Sequence, residues 1–155
     1  MFTTDPGLVP IPQMPDLWYL DGPLVWQGPD VKIVIPAGFI TDDASVPKVL
    51  DWIPFLDRQG LSRRPGIAHD GMYALGRSKG KDWCDSKLRE FCLAEGMNAL
   101  QAGIYYKGVH LFGDSSWQDD ADHGIYPGNI VEGDFISFDA ANAYRQAGGV
   151  IYFQP

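Results

Sequence analysis

The chain has 155 residues, 45% of them apolar and 13% aromatic, which is enough to bury one proper core without disulfide or metal staples. Its 12 basic and 20 acidic side chains leave a net charge of -8, which repels nucleic-acid backbones and anionic membrane surfaces over most of the molecule. No window approaches the roughly 20 apolar residues of a membrane span, so neither nucleic acid nor an integral place in the membrane is expected.

The amino terminus, Met1 to Pro6, has no basic region and no apolar block, so it does not read as a secretory signal. Residues 1–16 carry Pro6, Pro10, Pro12 and Pro15, a composition that favours an extended arm. With Phe2, Leu8, Val9, Ile11 and Met14, the arm is too apolar for a solvated linker. It is expected to lie against its own domain or against a neighbour.

Asp21-Gly22 separates Leu17–Leu20 from Pro23–Gln27, the pattern of a tight hairpin whose turn needs positive φ. Gly28-Pro29-Asp30 makes the next turn and Val31–Ile35 reads as a third strand, so an antiparallel meander is expected here. Residues 36–47 leave it as an irregular loop, with Ser45 as N-cap of a short helix reaching Trp52. Asp42 and Asp43 at that junction either cap backbone amides or bind a cation.

Pro65 begins a central helix that Gly76 ends. A second helix runs from about Asp82 to Glu95, with Cys84, Leu88, Phe91 and Cys92 as its apolar stripe and Asp85 within or beside it. Eight positions on one helix hold the two cysteines about 12 Å apart, so they are expected as reduced, buried thiols of a cytoplasmic folding compartment. Asn98 begins a third helix to Phe112, with Leu100, Ile104, Leu111, Tyr105, Val109 and Phe112 expected to face inward and Gly103 and Gly108 to permit close helix contact. Gln118–Gly124 reads as an acidic loop. Asp139 is expected to cap a helix from Ala140 to Ala147, and Val150–Phe153 has strand composition.

The expected fold is therefore α+β: a small antiparallel β meander packed on a core of three to four helices. In one domain, residues 1–16 form the arm, 17–47 the meander and loop, 48–113 the helical core and 114–155 a C-terminal extension. Arg58, Arg63 and Arg64 form a local basic patch.

The chemistry concentrates on the central helix. His69 and Tyr73, four residues apart, share one face, and Asp70 projects about 100° away. Two helices joined by a short turn pack antiparallel; counting from Ser78, His69 lies nine residues back and Asp85 seven forward, so the carboxylate is expected opposite the imidazole. Such a set can serve as base, metal ligand and supporting donor, or equally as a hydrogen-bonded plug in a core. Zinc is disfavoured because His69, His110 and His123 are far apart in sequence.

Pro36, Gly38, Phe39, Thr41, Asp42, Ala44, Ser45 and Pro47, then Ala68, His69, Asp70 and Tyr73, then Asp85, then Tyr106, Val109, Phe112 and Gly113 resemble the successive motifs of the family known as domain of unknown function 1353. The resemblance covers about residues 31–113, and Cys84 and Leu88 stand where alanine and phenylalanine are more usual. The family is common in tailed bacteriophages and prophages. The resemblance implies a protein made in the host cytoplasm and carried in the virion, at a tail or other accessory position. Its arms would then contact other phage structural proteins or a second copy.

His-Asp-x-x-Tyr with a distant aspartate is also similar to the helix pair of secretory and parvoviral phospholipases. That likeness implies a calcium-assisted hydrolase acting on an ester of the host envelope. His69 would be the general base, Asp85 its orienting carboxylate and Tyr73 its support, with calcium held by Asp70 and by Asp42 and Asp43 of the neighbouring loop. The loop lacks the paired glycines of those phospholipases.

Overall fold

A computed structural model describes residues 1–11, 14–29, 31–41, 60–75 and 79–122. The expected helix before Trp52, residues Asp42, Asp43 and Arg58, the stop at Gly76 and everything after Asp122 lie outside the described residues. Among those residues the elements run β1 (Leu8–Ile11), β2 (Met14–Leu20), β3 (Leu24–Gln27), β4 (Lys32–Ile35), β5 (Ile40–Thr41), α1 (Arg63–Leu75), α2 (Lys81–Ala94), α3 (Ala99–Phe112) and α4 (Asp114–Asp122). The class is α+β, with small antiparallel sheets before the helices.

The strands do not form one meander. β2 pairs with β1 on one side and β5 on the other, while β3 pairs with β4 in a separate sheet. Asp21-Gly22 is a corner between two sheets, and the N-terminal arm explains why. Gly7 N donates to Asp21 Oδ1 at 2.6 Å and Asp21 N to Gly7 O at 3.1 Å, which ties the corner to the arm. Thr3 N then donates to Val25 O and Gln27 N to Met1 O, both at 2.9 Å. The arm takes the edge of β3 that a hairpin would have given to β2.

The arm also contributes to the core. Phe2 is buried, edge-on to Trp26 of β3 at 5.1 Å and 5.4 Å from Phe91 of α2. Leu24, Trp26, Ile33 and Ile35 alternate inward from β3 and β4, as a half-buried sheet requires. Against them lies α1, buried on nearly every side, with α2, α4, β4 and β5 around it. Gly71 lets α1 approach β4, because a Cβ there would run into the Ile35 side chain.

Helix α2 buries Cys84, Asp85, Leu88, Phe91 and Cys92, the expected stripe with the carboxylate inside it. Gly96 ends it at φ 98°, a conformation that costs an L side chain strain. Asn98 caps α3 through a reciprocal pair of bonds with Gln101. Two expectations for α3 fail. Leu100, Leu111 and Phe112 are 73%, 66% and 52% exposed, and nothing lies within 4 Å of the position a Cβ on Gly103 would take. The helix is apolar on all sides, so its sequence has no polar face to show which side turns outward. The start of the expected acidic loop is instead helix α4, anchored by Trp117 edge-on to Tyr73 at 5.0 Å.

Candidate functional site

Asp85 is the centre of the polar cluster, fully buried on α2. His69 Nε2 of α1 stands 2.9 Å from Oδ1, and the Tyr73 hydroxyl donates to the same oxygen at 2.6 Å. The helix-hairpin count brings these three groups together, and the His69 and Tyr73 rings touch at 4.0 Å. Oδ2 takes two further groups: Lys81 Nζ, one turn earlier on α2, at 2.9 Å, and His110 Nδ1 of α3 at 3.1 Å.

An ionised carboxylate only accepts, so both imidazole nitrogens facing it carry hydrogen. Burial alone would raise the Asp85 carboxyl. The bonds from His69, Tyr73 and Lys81 outweigh it and hold the group well below the usual carboxylate range. Burial depresses His69 below its ordinary value more than Asp85 raises it, so the contact is a neutral hydrogen bond, not an ion pair. Burial, then the Asp85 contact, pushes the Tyr73 hydroxyl upward. Lys81 supplies positive charge that balances Asp85. Its ammonium also bonds His110 O at 3.0 Å and approaches Asp114 at 3.3 Å.

Lys81 and His110 escaped the sequence reading. Lys81 was legible, since it sits four residues before Asp85. His110 was not, because nothing in the sequence fixes where the last turn of α3 passes α2. Two histidines far apart in the chain thus meet at one carboxylate.

Asp70 points elsewhere. Its Oδ2 accepts from the Thr41 hydroxyl of β5 at 3.1 Å, which fastens α1 to the strand leading into the 42–59 segment. The structure therefore separates Asp70 from the Asp85 cluster. Calcium takes six to eight oxygens; of the expected ligands the described residues hold Asp70 alone. Asp82, Asp85 and His110 offer ligand atoms within 4.8 Å of one another. The Lys81 ammonium already occupies the cation's place on Asp85 Oδ2, which disfavours a second positive charge there.

Of the basic patch, Arg63 and Arg64 are committed locally. Arg64 Nε and a terminal nitrogen reach Glu95 Oε2 at 2.7 and 2.6 Å, and Arg63 bonds Pro6 O at 3.3 Å. Cys84 and Cys92 are both buried, and burial pushes the Cys92 thiol up to about 12.

No curated protein and no solved structure matches the chain. Residues 18–109 match the family described as Protein of unknown function (DUF1353). That stretch spans the end of β2, all of β3, β4, β5, α1 and α2 and most of α3, including every group of the Asp85 cluster except His110, and the chain belongs to this family.

Proposed function

We propose that the chain is an accessory, tail-related component of a bacteriophage-type particle, made in the host cytoplasm and acting by protein contact. In this reading the His69, Tyr73 and Asp85 cluster holds the fold and performs no reaction. The observation that carries it is the burial of His69, 5% exposed, with Nε2 turned to a carboxylate that lies wholly in the core. A general base needs the ring nitrogen opposite its carboxylate, here Nδ1, within reach of a substrate proton, and burial of the whole ring argues against that access. The family resemblance supplies the phage setting.

The terminal segments remain the proposed contacts with other structural proteins. At the N-terminus that role falls to the outer edge of β1, since Phe2 is committed to the core. The test is incorporation. A chain lacking residues 134–155 should fold yet be missing from purified particles by mass spectrometry, and normal incorporation would defeat this reading.

A second reading, the calcium-assisted ester hydrolase, draws support from the 2.9 Å contact of His69 with Asp85, the pairing that chemistry requires. Calcium titration of the purified protein with an ester substrate, and His69→Ala as control, tests it. Absence of both binding and turnover removes it.

A further inference from the structure

The imidazole of the Asp85 cluster that meets solvent is His110, not His69. Its side chain is 39% exposed, against 7% for His69. Nδ1 donates to Asp85 Oδ2 at 3.1 Å and lies 3.8 Å from Asp82 Oδ1. With hydrogen on Nδ1, a neutral ring carries its lone pair on Nε2, on the side away from the carboxylate. Nε2 has no partner among the described residues. The ring is also held in place: Tyr106, one turn earlier on α3, stacks on it at 5.5 Å and 20°, and Lys81 Nζ ties its backbone carbonyl to Asp85 at 3.0 and 2.9 Å. A fully buried carboxylate thus fixes the tautomer and direction of a half-exposed imidazole, the arrangement a general base needs before it meets a substrate.

We propose that His110 Nε2 is a general base for the hydrolysis of uncharged or cationic carboxylic esters, with Asp85 as its positioning residue. Nε2 takes a proton from a water molecule as the water oxygen bonds the ester carbonyl carbon. The bond from that carbon to the alcohol oxygen then breaks, and the leaving oxygen takes the proton back from Nε2. Water is consumed, a carboxylic acid and an alcohol are released, and the ring returns to its starting form. Asp85 stays ionised throughout and stabilises the transient imidazolium.

Charge selects the class of ester. The exposed charged groups of α2 and α4 beside the ring are carboxylates, Asp82 at 90% and Asp114 at 84% exposure, and the chain's net charge of -8 adds to their field. The Lys81 ammonium offers an anion little, because Asp85, His110 O and Asp114 already surround it. Phosphate esters and anionic lipids are repelled. His110 is a different base from the His69 of the calcium-assisted reading and uses no cation, so the two fail separately, and neither depends on incorporation into a particle.

The experiment gives the purified full chain p-nitrophenyl acetate, acetylthiocholine and p-nitrophenyl phosphate, each with EDTA present. The two acetates should turn over at least about tenfold faster than with equimolar free imidazole, and the phosphate no faster. His110→Gln should remove that excess while leaving the thermal melt near the parent's, because His69, Tyr73 and Lys81 still bond Asp85. The parent chain supplies a second measurement: proton–nitrogen correlation spectra of its imidazoles should place the hydrogen of His110 on Nδ1, and diethyl pyrocarbonate should modify His110 before His69. Acetate turnover no better than that of imidazole overturns the proposal, as do full activity in His110→Gln, turnover that EDTA abolishes, faster hydrolysis of the phosphate, hydrogen on Nε2 or earlier modification of His69.

Discussion

His69 on α1 and His110 on α3 donate to opposite oxygens of one buried carboxylate, Nε2 to Oδ1 at 2.9 Å and Nδ1 to Oδ2 at 3.1 Å. Asp85 thereby joins three helices at a single point. With Tyr73 and Lys81 it accepts four donors on two oxygens, and Lys81 balances its charge.

Removing that carboxylate leaves an ammonium without its counter-charge and strands buried donors. Asp85→Ala is therefore expected to cost about 3 to 5 kcal/mol, against about 1 to 3 kcal/mol for His69→Ala, which leaves Tyr73 and Lys81 on the carboxylate. Urea unfolding of the two variants checks the order. Equal costs would mean that Asp85 is held for His69 alone.

The same bonds set the response to acid. Unfolded, His69 titrates near its ordinary 6.5, while in the fold its affinity for a proton is lower. Below pH 6.5 the unfolded chain binds the additional proton, so stability falls as pH drops. Asp85 adds a second loss below its ordinary 3.8, because its folded value lies lower still and its contribution is complete only above that pH. Unfolding free energy measured against pH should decline in those two stages, and His69→Gln should flatten the upper one.

Gly71 is where α1 meets the sheet. A methyl group there collides with Ile35 of β4, so Gly71→Ala is expected to destabilise by about 1 to 3 kcal/mol although alanine favours helix. Ile35→Val should recover part of the loss. The coupling in a double-mutant cycle measures how tightly helix and sheet are pressed together.

What the sequence disclosed follows from the range of the interactions. The His69 to Asp85 contact was legible because a short turn between two helices fixes relative height, and the stripe on α2 was legible because its other side is polar. The corner at Asp21-Gly22 was misread because residues 1–7, distant in sequence, compete successfully for the edge of β3. Helix α3 has apolar residues all round, so its periodicity does not say which side is buried. His110 reached the cluster through that same undetermined rotation.

Phe2 measures how far the arm belongs to its own domain. Its ring packs against both Trp26 and Phe91, whose own rings lie 4.7 Å apart, so the three form a triangle, and the Arg64 guanidinium covers it at 5.5 Å from the centroid. Truncation removes those contacts and opens a cavity where the arm, β3 and α2 meet, so Phe2→Ala is expected to cost about 3 kcal/mol. Thermal or urea unfolding of the isolated protein gives the value. A cost near zero would mean that the arm rests loosely on the sheet and is available to a partner. The expected cost means that a partner competing for the arm must first displace Phe2 from the core.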